Sequence, residues 1–144
     1  MEHVRQKLQK LLEIAGLNEP VVDSDPEGRR LTIFINEGPW LQEWLPRLVA
    51  DAGQIARMMA KKGGMYDMIY IDVNNYRKER ERLIIELAKA AARKVIVTRS
   101  DVKLPAMNAY ERRIVHTELA TRPDVKTEST GEKKERCVVI KPLL

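Results

Sequence analysis

The sequence predicts an α+β fold built from two small units, residues 1–74 and residues 75–144. Apolar residues recur at three- and four-residue steps in several segments, which is typical of amphipathic helices. Short β-branched runs bounded by turn-forming residues predict strands. The resulting order is α-β-β-α-α-β in the first unit and α-β-α-β-β in the second, with the junction at residues 72–75.

In the first unit, the apolar positions between Val4 and Ala15 predict a helix that ends at Gly16. We expect strands at residues 20–23, 31–35 and 68–73. Two helices are expected between the second and third strands. The first is short, at residues 39–43, and the second begins at Pro46, because proline suits the first position of a helix.

In the second unit, a long helix is expected at residues 75–93 and a β-branched strand at 95–97. Asn108 has the side chain of a helix N-cap and predicts a helix that reaches about residue 121. Residues 125–130 and 134–141 are predicted to pair as a hairpin around Gly131.

The composition excludes several kinds of chemistry. Two histidines and one cysteine cannot form a zinc cluster, and the seven glycines form neither a dinucleotide-binding nor a phosphate-binding loop. We therefore expect no enzyme activity, no metal and no cofactor. Cys137 starts an apolar run and is expected to be a buried, inert thiol. Neither a membrane span nor a secretory signal is visible, so we expect a cytoplasmic protein without direct membrane insertion.

The positive charge is concentrated in one half of the chain. The formal net charge is +5, and all of this excess lies in residues 65–144, while residues 1–64 are neutral. Such an asymmetry favours a polyanion partner for the second half. A basic surface also keeps proteins soluble, so charge alone leaves nucleic-acid binding as one of two interpretations.

Several separated motifs in the second half agree with one known domain. They are the segment 104–116 (LPAMNAYERRIVH), the segment 127–131 (TESTG), the segment 136–140 (RCVVI) and Tyr76-Arg77 after a strand. Together they resemble the C-terminal domain of the Jag (SpoIIIJ-associated) family, which is named for an arginine and a histidine separated by three residues. Here that pair is Arg112 and His116. The resemblance implies a three-stranded sheet with helices and binding of single-stranded nucleic acid.

In that family the domain follows a type II KH domain, whose α-β-β-α-α-β order agrees with the order predicted for residues 1–74. A KH domain places a Gly-x-x-Gly loop between its central helices, where the nucleic-acid backbone approaches closely. No such motif occurs in this sequence, and the corresponding segment is Trp44-Leu45-Pro46-Arg47. The resemblance therefore implies a degenerate KH-like half. Core packing is the default expectation for Trp40 and Trp44, and a protein interface is the second.

Arg112 and His116 lie four residues apart and share one helix face. We expect this face to be exposed, opposite a core side formed by Met107, Tyr110 and Ile114. Replacement of both residues by alanine should then weaken binding of single-stranded RNA and leave the melting temperature nearly unchanged. An arginine fork and an imidazole can together bind one phosphate, although the spacing alone also fits a chance pair on a solvated face.

Five further residues are candidate contacts to nucleic acid. Arg113 and Arg136 add charge, and Arg77 belongs to the resemblance. Thr127 and Ser129 alternate along a strand, so their hydroxyls share one sheet face and could contact a sugar-phosphate backbone.

The predicted function is binding of single-stranded RNA, or DNA, by a non-enzymatic protein. The resemblance implies a bacterial post-transcriptional regulator linked to cell division or envelope growth. The alternative is a protein–protein adaptor in which the KH-like half docks a KH-domain partner.

Overall fold

The computed structural model describes residues 1–64 and 69–143 and divides the chain into two compact units, Met1–Lys78 and Glu79–Leu144. Each unit contains one three-stranded sheet. The predicted α+β class is confirmed. Within the described residues, no helix has the length and apolar character needed to cross a membrane.

The first unit has five elements. They are helix α1 (Glu2–Ile14), strands β1 (Val21–Ser24) and β2 (Arg30–Phe34), helix α2 (Leu41–Lys62) and strand β3 (Tyr70–Val73). The central strand β2 pairs antiparallel with β1 and parallel with β3. The core lies between one sheet face and the two helices, with Leu8, Leu31 and Ile71 almost fully buried. Residue 68, the first of the predicted third strand, lies outside the described residues.

The two helices expected between β2 and β3 are a single helix, α2, so the predicted α-β-β-α-α-β order is wrong in that region. Pro46 lies in the second turn of α2, where its ring removes one backbone hydrogen bond. The buried stripe of Leu41, Leu45 and Val49 runs past this position. Apolar packing along this stripe offsets the proline and keeps the helix continuous.

The expected core packing of Trp40 and Trp44 is also wrong. Their exposed fractions are 54% and 49%. The neighbouring positions Leu41 and Leu45 occupy the core-facing stripe of α2, and one residue along a helix turns a side chain by about 100°. Both indoles are therefore directed away from the core.

Asp72 fixes the start of the next helix. Its exposed fraction is 1%, and its carboxylate accepts hydrogen bonds from the backbone N–H groups of Val73, Arg77 and Lys78 at 2.8–3.1 Å. A carboxylate at this position satisfies N–H groups that have no partner within the helix. The Asp72-Val73 sequence thus ends β3 and starts a helix within a few residues.

The second unit is built on a helix that begins at the end of the first. Its elements are helix α3 (Tyr76–Thr98), strand β4 (Val102–Lys103), helix α4 (Ala109–Leu119), strand β5 (Val125–Thr130), a 3₁₀ turn (Lys133–Glu135) and strand β6 (Cys137–Pro142). Strand β6 is central and pairs antiparallel with both β4 and β5. The predicted three-stranded sheet and hairpin are confirmed, and Cys137 is buried in β6.

The strand expected at residues 95–97 is instead part of α3. Val95 continues the buried stripe of Ala88, Ala91 and Ala92 at helical spacing, and this burial outweighs the β propensity of the run. The third strand is the two-residue β4, which follows this helix and was not among the predicted strands.

Candidate nucleic-acid interface

Helix α4 carries the Arg-xxx-His pair, and its start is fixed by a capping box. The Asn108 side chain accepts a hydrogen bond from the Glu111 backbone N–H at 2.9 Å, and the Glu111 carboxylate accepts one from the Asn108 N–H at 3.2 Å. Two backbone donors that would otherwise lack partners are thereby satisfied. The predicted N-cap at Asn108 is confirmed.

The core side of α4 differs from the expected one. Val115 and Leu119 are buried, Tyr110 is exposed and Ile114 is only partly buried, although Met107 is buried as expected. Because the buried face of α4 is centred on Val115, Arg112 and His116 lie near the edge of that face. Both residues are half-buried, so the expectation of a fully exposed pair is wrong.

His116 is held against strand β5. Its Nδ1 atom lies 2.7 Å from the Thr127 Oγ1 atom, and its Nε2 atom lies 2.9 Å from the Ser129 Oγ atom. A neutral imidazole has one donor and one acceptor, and hydroxyls can match either role. Thr127 and Ser129 therefore share a sheet face, and that face is directed at His116.

The environment of His116 favours its neutral form. Partial burial lowers the pKa of the imidazole below its ordinary value, and the nearby charge of Arg112 lowers the pKa further. Burial disfavours the ion because it removes hydration, and a like charge adds repulsion. The neutral ring can then both donate to and accept from the two hydroxyls.

This pKa shift predicts a pH dependence of stability. Below about pH 6.5 the unfolded chain binds a proton at His116 that the folded chain resists, so the free energy of unfolding should fall as the pH falls through that range. In a His116→Gln variant this part of the dependence should disappear, because glutamine does not titrate. Urea unfolding from pH 7.5 to 5.5 measures it, and identical slopes for both proteins would contradict the assignment.

Arg112 lies between the start of α4 and a cavity that it helps to line. Its Nη1 atom donates a 2.7 Å hydrogen bond to the Met107 carbonyl oxygen. The cavity, of about 580 Å³, opens beside this contact and has one wall from the start of α4 and another from the β5–β6 turn. Four lining side chains are cationic: Arg112, Lys133, Lys134 and Arg136. We call this space the cationic cavity.

The turn that supplies two of these lysines has a tight backbone. Gly131 has φ +87°, and a Cβ atom there would lie 3.0 Å from the Glu135 carbonyl oxygen, so glycine is required. The 3₁₀ turn follows, with Lys133 at φ +53°. This geometry brings the two lysines to the wall of the cavity.

The negative charge at the cavity is neutralised. Glu111 is the one acidic residue among the described lining residues. Besides the capping box, its carboxylate accepts a 2.8 Å hydrogen bond from Arg80 Nε within an ion pair. An anion in the cavity would therefore meet a net positive field.

The predicted site residues fall into three groups. Arg112 and Arg136 line the cationic cavity, while His116, Thr127 and Ser129 form the hydrogen-bonded cluster described above. Arg113 is exposed on α4 and is not among the lining residues, and Arg77 belongs to the first unit. The binding role of these residues is a prediction. Lys133 and Lys134 were not among the candidate contacts predicted from the sequence. Two adjacent lysines shortly after the turn glycine Gly131 could have indicated a cationic surface there.

One known domain family matches most of the second unit. Residues 82–142 match the R3H domain. This segment contains α4, the hairpin and all four cations of the cationic cavity.

Curated relatives also match part of the chain. A protein named "RNA-binding protein KhpB" from Clostridium symbiosum is 38% identical over 86 residues, which are 60% of this chain and 39% of the relative. Proteins of the same name from Lactiplantibacillus plantarum and Bacillus subtilis are 37% and 34% identical over 57% and 54% of this chain, and over 26% and 38% of their own lengths. The chain thus covers well under half of each relative. These proteins belong to the Jag family that the sequence resembles.

Proposed function

We propose that this protein binds single-stranded RNA, or DNA, through its second unit. The observation that carries the proposal is the cationic cavity, a space of about 580 Å³ whose lining residues include Arg112, Lys133, Lys134 and Arg136. Four cations with one neutralised carboxylate suit the phosphates of a nucleic-acid backbone. The R3H match and the names of the relatives support the same function.

In this proposal the residues have different tasks. Arg112 and Arg136 bind phosphate oxygens with their planar forks, and Lys133 and Lys134 add mobile charge. Thr127 and Ser129 are held by His116 and can bind the sugar-phosphate backbone through their remaining hydroxyl capacity. The exposed Arg113, and Arg77 in the first unit, are proposed as further phosphate contacts.

Titration of a labelled single-stranded RNA into the full chain at several salt concentrations tests the function. If the four cations contact four phosphates, the plot of log K against log [salt] should have a slope near −3, from roughly −0.7 per phosphate on single strands. Saturable binding with this slope is the expected result. Absence of binding, or a flat salt response, would contradict it.

The first unit carries the second candidate function, docking of a protein partner. Trp40 and Trp44 are about half exposed, on a half of the chain that has no net charge. Exposed tryptophans are frequent anchors of protein interfaces. A KH-domain protein is the proposed partner. Failure of the RNA titration would favour this adaptor function.

The KH-like nature of residues 1–74 and the boundary to residues 75–144 are part of the proposal. The order helix, strand, strand, helix, strand supports the first, with the difference that one helix replaces two. A role as a cytoplasmic post-transcriptional regulator, linked to cell division or envelope growth, remains a prediction from the family resemblance.

A further inference from the structure

A second, smaller cavity lies in the same unit as the cationic cavity. Its volume is about 190 Å³, and it is lined by Arg80, Leu83, Ile84, Leu87, Pro105, Ala106 and Met107. Arg80 is the one charged residue in this set. Leu83 and Leu87 are exposed, although they lie on the α3 face that lines the cavity. We call this space the apolar cavity.

The two cavities are neighbours and share two lining residues, Ala106 and Met107. A second link is the ion pair between Arg80 and Glu111, because Arg80 lines the apolar cavity and Glu111 lines the cationic one. An apolar surface thus adjoins a cluster of four cations. A ligand that fits both has an anionic part next to a weakly polar part.

We propose that the apolar cavity holds the base of a nucleotide whose phosphate occupies the cationic cavity. This inference rests on the proposed function, and charge complementarity selects the occupant, since a nucleotide joins an anion to a planar ring. The leucine and proline side chains contact the faces of the ring. The guanidinium plane of Arg80 can stack on a base while its Nε atom stays bonded to Glu111.

The chemistry of the lining predicts a binding site with little base selectivity. Arg80 is the one polar side chain among the described lining residues, so the walls offer few hydrogen bonds that could distinguish one base from another, and stacking tolerates any base because each has a π face. The cavity would therefore hold an unstacked base without selecting its identity.

A matched pair of variants in the full chain tests the proposal. Leu87 and Ile96 both lie on α3, and both have an exposed fraction of 38%, but only Leu87 lines the apolar cavity. The probes are a single-stranded RNA and a ribose-phosphate strand of the same length without bases. Circular dichroism melts of Leu87→Ser and Ile96→Ser establish that both variants are folded.

We expect Leu87→Ser to weaken binding of the RNA roughly fivefold, from the loss of apolar contact area. Ile96→Ser should leave this affinity unchanged. On the strand without bases, neither variant should differ from the parent, because no base is present to contact Leu87.

Two results would overturn the inference and leave the proposed function intact. One is equal RNA affinity for Leu87→Ser and Ile96→Ser, and the other is the same loss for Leu87→Ser on both strands. If the parent chain binds neither strand, the proposed function fails as well. In that case the apolar cavity would be a candidate for protein contact.

Discussion

A variant with Lys134→Gln and Arg136→Gln should bind single-stranded RNA about a hundredfold more weakly than the parent chain. Both side chains line the cationic cavity and are exposed, so their removal should leave the fold intact. Each charge-assisted contact contributes about 1.5 kcal/mol at the lower end of its usual range, which is roughly a tenfold change in affinity. Fluorescence anisotropy with a labelled strand measures the loss.

The matched control removes the same charge elsewhere in the second unit. Arg93 and Lys94 are exposed on α3 and line neither of the two cavities described above. Their replacement by glutamine should change affinity only through the weaker long-range field. The salt slope of the cavity variant should become shallower by about 1.4, and the slope of the control should stay the same. Equal losses in both variants would show that overall charge, and not the cavity, determines binding.

Local signals in the sequence were sufficient to predict much of the secondary structure of the second unit. Asn108 with Glu111 three residues later forms a capping box, and Gly131 separates two strand-like runs. In both cases a few neighbouring residues determine the backbone. The start of α4 and the pairing of β5 with β6 could therefore be predicted without tertiary information.

The failed predictions depend on burial, which a single segment does not reveal. Residues 95–97 are β-branched, and their pattern fits either a strand or a helix. They form a helix because Val95 is buried on the same helix face as Ala88. Similarly, the sequence predicts that a helix starts at Pro46. Because Leu41 and Leu45 are buried on one helix face, α2 begins earlier and Pro46 lies inside it. Propensity gives way to packing in both cases.

The candidate site was predicted only in part for a related reason. Arg112 was identified from the resemblance and Arg136 from its charge at the start of the last strand, but the cationic cavity also needs the β5–β6 turn to approach the start of α4. That approach depends on the hydrogen bond from the Met107 N–H to the Arg136 carbonyl oxygen, two residues that are far apart in the sequence. Such long-range pairing has no signature within either segment.

A variant with Arg112→Ala and His116→Ala should unfold at a temperature lower by about 12–24 °C. This contradicts the small effect expected from the sequence, because the two side chains are half-buried and make three hydrogen bonds. At about 1 kcal/mol for each bond, the free energy of unfolding should fall by about 3 kcal/mol. For a unit of this size, each kcal/mol corresponds to roughly 4–8 °C.

The control for this prediction lies on the same helix at the same spacing. Arg113 and Thr117 are four residues apart on α4 and are both exposed. Their replacement by alanine should shift the melting temperature by only a few degrees, because exposed substitutions change stability by about 0.5 kcal/mol or less. Equal shifts in the two variants would show that the contacts of Arg112 and His116 contribute no stability.

Conservative variants can then separate stability from binding. Arg112→Lys keeps the charge at the cavity but loses the planar fork, and His116→Gln keeps hydrogen-bonding groups near Thr127 and Ser129. If His116 acts by holding the two hydroxyls, His116→Gln should recover most of the melting temperature and most of the RNA affinity that the double alanine variant loses, both measured at pH 7.5. Recovery of the melting temperature without recovery of affinity would instead assign His116 a direct contact with RNA.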